Sequence, residues 1–106
     1  MAERPAVTAR LAATAANEVP DVLDLYEGAV GEIATYGSGE RVGGVRVRRG
    51  EPNRLVLYLV VRFGRPLAEI AEEVRDKVRQ RLEGSWVIDV HIQDVRAEQP
   101  ALESET

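Results

Sequence analysis

The sequence predicts an α+β fold: a two-layer α/β sandwich, order α-β-β-β-α-β, whose mixed sheet carries two helices on one face. Three observations lead there. Leu55, Leu57, Leu59, Val61 and Phe63 alternate with Val56, Tyr58, Val60 and Arg62, the two-residue period of a strand. Leu67, Ile70, Ala71, Val74, Val78 and Leu82 then recur at spacings of three and four, one face of a helix. Trp86, Ile88, Val90 and Ile92 restore the two-residue period. Strand, long helix and strand imply a parallel pair joined by a right-handed crossover.

The elements follow in order. A first helix is expected over Val7 to Asn17, where Val7, Leu11 and Ala15 recur every four residues among helix-favouring alanines. Pro20 pushes Val19 out of the helical region and ends it. Val22, Leu23 and Leu25 predict a short strand, and the glycine-rich stretch from Gly28 to Gly44 reads as a loop with room for one helical turn around Val30 to Ala34.

Val45 and Val47 alternate with Arg46 and Arg48, and Gly50-Glu51-Pro52-Asn53 is a turn that closes a hairpin with the next strand. The second helix is expected from Pro66, placed in its first turn, to about Glu83, with Gly84 just past its end. Glu72 with Arg75 and Glu73 with Lys77 lie within reach as helix-supporting pairs. The domain plan is a flexible segment 1–6, one domain 7–96 and a disordered acidic tail 97–106.

A chain of 106 residues supports one modest core, hiding roughly 60 to 65% of the surface its unfolded form exposes. With 44% apolar and 30% charged residues, it should fold. It has no cysteine, which excludes a disulfide framework, a thiolate nucleophile and a cysteine zinc site and makes the cytoplasm the default compartment. The charged N-terminus argues against a signal peptide, and the longest later apolar run, Leu55 to Val61, is far short of a membrane span. A formal charge of -4 disfavours general nucleic-acid binding.

No constellation of nucleophile, base and oxyanion donor is present, and no cofactor or metal is expected. Gly37, Gly39 and Gly43 miss the dinucleotide pattern, because Val42 stands where glycine is needed and the loop precedes a strand. Gly28-Ala29-Val30-Gly31 has the G-x-x-G form of an RNA-clamping loop but is flanked by Glu27 and Glu32. Asp21, Asp24, Glu27 and Glu32 have no calcium-loop spacing and read as capping or turn residues. Trp86 reads as core.

Arg41, Arg46, Arg48, Arg49 and Arg54 crowd the predicted hairpin, where they suit phosphates, an acidic protein surface, or a solvated edge that resists aggregation. With both helices on one face, the other is left open around Val56, Tyr58 and Val60. His91 shares that face with Asp89 and Gln93. It reads as a surface histidine; a catalytic role would require a partner subunit to complete a site. The candidate partner-binding residues are Arg46, Arg48, Tyr58, Arg62 and His91.

Several short motifs share one order and spacing over nearly ninety residues: Glu18-Val19-Pro20-Asp21-Val22, Gly44-Val45-Arg46-Val47, Val61-Arg62-Phe63-Gly64, the set Ile70, Ala71, Val74 and Val78, and Val90-His91-Ile92-Gln93-Asp94-Val95. In this the chain resembles the alkaline shock protein family of bacterial envelope stress response proteins. Asp21 stands where that family usually has glycine, and Phe63 where it has tyrosine. The resemblance implies a non-enzymatic cytoplasmic module that self-associates, is recruited to the inner face of the cell membrane by an integral-membrane partner, and contributes to cell envelope homeostasis. The alternative is a small RNA- or nucleoid-associated module working through the arginine-rich hairpin.

Overall fold

The computed structural model describes residues 4–37 and 39–97. The expected acidic tail, from residue 98 onward, and the first three residues of the expected flexible segment lie outside them. The fold is α+β, with helix α1 (Pro5–Asn17), strands β1 (Val22–Leu25), β2 (Ala34–Gly37), β3 (Glu40–Gly43), β4 (Val45–Arg48) and β5 (Asn53–Arg62), helix α2 (Leu67–Arg81) and strand β6 (Trp86–Arg96). The order is therefore α-β-β-β-β-β-α-β, two strands more than α-β-β-β-α-β. Of the stretch expected to be a loop, residues 28–33 carry no strand or helix, while Ala34–Gly37 and Glu40–Gly43 pair as the antiparallel hairpin β2-β3, with Gly39 at φ +78° just before Glu40.

β5 is the centre of the main sheet. Along one side it pairs in parallel with β6, from Asn53 opposite Trp86 to Arg62 opposite Arg96. Along the other side two short antiparallel strands share its length, β4 opposite Arg54 to Leu57 and β1 opposite Leu59 to Val61. They meet at Tyr58, whose N–H donates to Gly44 O at 2.9 Å and whose carbonyl accepts from Tyr26 N at 2.7 Å. The hairpin β2-β3 sits beside β4, tied by the Thr35 hydroxyl donating to Val45 O at 2.6 Å.

Leu55, Leu57, Leu59 and Val61 are wholly buried in one cluster with Ala9, Ala12 and Ala16 of α1 and Ile70, Val74 and Val78 of α2. The first helix takes in Pro5 and Ala6 and turns an alanine face inward, leaving Val7 47% exposed although it was expected on the apolar face. Alanines permit close approach to β4 and the hairpin; Val7 falls outside that footprint. Phe63, expected in the core, is 72% exposed: β5 ends at Arg62, and Phe63 lines a surface groove with Pro66, Leu67 and Val95.

α2 begins one residue after Pro66, which is its N-cap, and ends at Arg81; Leu82 turns extended and Gly84 follows at φ +86°. Glu72 pairs with Arg75 at 3.7 Å as expected, while Glu73 turns to Arg65 at 2.9 Å. Arg65 also holds Asp21 at 2.8 Å, so one guanidinium ties the approach to β1 to α2. Hydrogen bonds to Glu73 and Asp21 push the Arg65 pKa above its ordinary value. Glu18 and Arg81 form an ion pair between the ends of the two helices.

Candidate protein-contact surface

The register of the sheet decides which side chains share its helix-free face. Directly paired residues lie on the same side. Arg48, Arg54 and Val87 therefore form one row, Arg46, Val56 and Asp89 the next, then Tyr58 with His91, then Asp24, Val60 and Asp94, and finally Arg62 with Arg96. From Arg54 to Arg62 the stripe runs about 26 Å at the usual strand rise.

Its middle is an aromatic platform. Tyr58 and His91, side by side on β5 and β6, stack with ring centroids 5.2 Å apart and an interplanar angle of 22°. The Arg46 guanidinium lies 6.0 Å from the Tyr58 centroid, at the outer limit of a cation–π contact. Arg46 also donates to Glu32 O at 3.4 Å, which steadies it over the ring. The Glu32 carboxyl lies below the ordinary carboxylate range because its own backbone N–H and that of Val30 hydrogen-bond to it, with Arg46 adding to the effect.

Structure brings all five sequence-selected residues to this one face, with Arg46, Tyr58 and His91 contiguous and Arg48 and Arg62 at opposite ends. Arg48 stands directly opposite Arg54, a like-charge pairing that costs stability; Asp89 partly offsets it from the other side at 3.5 Å from Arg54. The apolar stripe is narrower than expected: Val56 and Tyr58 are half-buried, but Val60 is 3% exposed, flanked by Asp24 and Asp94 in register and by Tyr58 and Arg62 along its strand. Gln93, expected beside His91 on this face, falls at a register irregularity where β6 carries one extra residue.

The arginine group read from the hairpin divides in space. Arg41 lies on β3, bonded to Glu27 at 2.7 Å and Gly31 O at 2.6 Å, and hydrogen bonding to Glu27 and Tyr36 raises its pKa. Arg49 sits 5.2 Å over Trp86, which is half-buried at the rim of the core with its indole N–H on Glu83 O. Arg46, Arg48 and Arg54 remain together on the open face. A groove of about 550 Å³ runs from them around the outer edge of β4 to Tyr36, which is 65% exposed.

Tyr36 was not legible as a site residue, because the glycines around it suggested a loop. The turn dipeptide before Glu40, between Thr35-Tyr36 and Arg41-Val42, was the available hairpin signal. The four acidic residues Asp21, Asp24, Glu27 and Glu32 hold separate partners: Asp21 binds Arg65, Asp24 accepts from Leu25 N, Glu27 binds Arg41 and Glu32 accepts from Val30 N. Among the described residues no group of three or more His, Cys, Asp or Glu could hold a metal ion, and no helix is long and apolar enough to cross a membrane.

What the surface offers is an aromatic and cationic platform on the face of the sheet that neither helix covers. No curated protein and no solved structure is found to match the chain. The sequence model of the alkaline shock protein 23 family, described as having a cell envelope-related function, matches residues 2–97, and the chain belongs to that family.

Proposed function

We propose that this protein is a non-enzymatic assembly module of the cell envelope, cytoplasmic, self-associating, and held at the inner face of the membrane by an integral-membrane partner. The family supports the envelope assignment. The observation that carries the binding reading is the Tyr58–His91 stack with Arg46 beside it, on a face neither helix covers. Tyrosine supplies contact area at low entropic cost, and large aromatic and arginine side chains dominate the energetics of protein interfaces. Arg48 and Arg54 at one end favour a partner segment bearing carboxylates.

Tyr58→Asp places a charge in the centre of this platform while leaving the buried side of β5 untouched. Fractionation of the native cell is expected to find the wild type in the membrane pellet and the variant mostly released, an affinity loss of tenfold or more for a central interface residue. Circular dichroism of the purified variant should match wild type. Equal membrane association of the two proteins would remove the open face from the reading, and a wild type confined to the soluble fraction would remove membrane recruitment.

A further inference from the structure

β6 is the longest strand of the sheet, 11 residues, and it is paired on one side only: among the described residues no strand meets its outer edge. Alternate backbone groups on that edge point away from β5, a template for another strand, with Val95 N–H donating to Asp94 Oδ1 at 2.9 Å until a strand replaces it. The helix side of the edge is also incompletely covered. Val90 and Ile92 are half-buried against the core cluster, and Val95 is 37% exposed.

The irregularity at Gln93 restricts what can pair there. Before it, the odd-numbered residues Val87, Asp89 and His91 lie on the open face; after it, Asp94 and Arg96 do, by their register with β5. The helix side correspondingly carries Ile88, Val90 and Ile92, then Val95. When two identical strands pair antiparallel about a two-fold axis, facing residue numbers sum to a constant, and facing residues must share a side of the sheet.

Where the paired stretch spans Gln93, an even sum, as when His91 faces itself, sets Ile88 opposite Asp94 and Val87 opposite Val95, which mixes the two sides. The register that sets Ile92 opposite Gln93 of the second copy keeps the sides matched from Asp89 to Arg96. In that register Asp89 faces Arg96, His91 faces Asp94 and Val90 faces Val95. Each pairing occurs twice by symmetry, and none brings like charges together.

We propose that β6 is the self-association edge, two copies pairing antiparallel about a two-fold axis at Ile92/Gln93 with Asp89 facing Arg96 and His91 facing Asp94. The proposal rests on the self-association reading and names its surface. Pairing would join two sheets into one and bring two Tyr58–His91 platforms onto a single continuous face, doubling the surface offered to a membrane-anchored partner. Avidity for a partner presenting two such segments follows from that geometry.

The chain has no cysteine, so two engineered thiols report the register directly. His91→Cys and Asp94→Cys chains, carrying different tags and mixed under mild oxidation, are expected to form the mixed disulfide well in excess of either like-with-like disulfide. Facing residues of antiparallel strands lie about 4.5 to 5.5 Å apart at Cα, within disulfide reach. In sedimentation equilibrium, Asp89→Arg and Arg96→Asp should each weaken the dimer about tenfold, and the double variant should recover to within about threefold of wild type.

A wild type that stays monomeric at high concentration would overturn both this proposal and the self-association reading. Self-association without preferential mixed crosslinking, or with a double variant as weak as the singles, would overturn the β6 edge alone and leave assembly to another surface.

Discussion

Gly44→Ala is expected to destabilise the protein by about 2 to 5 kcal/mol, measured as a shift in the urea midpoint followed by circular dichroism. Gly44 connects β3 to β4 at φ +79°, where an L side chain costs roughly 1 to 2 kcal/mol. A Cβ added there would lie 2.6 Å from Leu25 Cβ and 3.2 Å from Tyr26 N, and overpacking adds about 1 to 3 kcal/mol. The backbone cannot easily yield. Gly44 N donates to Ile33 O at 2.8 Å, and Gly44 O accepts from Tyr58 N, so the same residue closes the junction of the two strands that share one side of β5.

Gly39 provides the control. Its φ is +78°, but a Cβ there meets nothing within 4 Å, so Gly39→Ala should cost only the conformational part, about 1 to 2 kcal/mol. Equal losses at the two positions would contradict the steric account. The glycine of the Gly44-Val45-Arg46-Val47 motif is thus explained by packing against Leu25 and Tyr26, with no ligand invoked.

Leu57→Ala is expected to cost about 2 to 5 kcal/mol by the same measurement, the range for emptying a buried leucine site. Leu57 is wholly buried, with Val45 and Val90 in register on either side, so the surrounding strands cannot collapse into the space without breaking their pairing. Val56→Ala, one residue away on the half-buried open face, should cost less than about 1 kcal/mol. Similar losses for both would mean that the two faces of β5 are not as different as their burial indicates.

The region from Arg54 to Val95 was legible because long strands and a long helix repeat their pattern often enough for period and face to be unambiguous. The face assignments of Leu55, Leu57, Leu59, Tyr58 and His91 came directly from alternation. The hairpin β2-β3 was not legible, since strands of four residues interleaved with Gly37, Gly39 and Gly43 carry too few repeats to show a period. Of the expected inward face of α1, Ala15 is buried and Leu11 packs against the core, but Val7 is exposed, because valine outweighs alanine in hydropathy while a closely packed helix selects small residues. Phe63 was misplaced because alternation says nothing about where a strand ends.

Alternation equally could not show the extra residue at Gln93, which depends on how β6 follows β5. The separation of Arg41 from Arg46 likewise depends on tertiary pairing with Glu27. Nearness in sequence makes one cluster of charges that the fold distributes over three strands and a tryptophan.

The claim that the open sheet face is a protein-contact surface is tested most directly by photocrosslinking in the native cell. A photoreactive benzoylphenylalanine is placed at Tyr58, or at Glu72 on the exposed side of α2 as reference. The account predicts a discrete adduct with an integral-membrane protein from position 58 and none from position 72. Adducts from position 72 alone, or the same products from both positions, would contradict it.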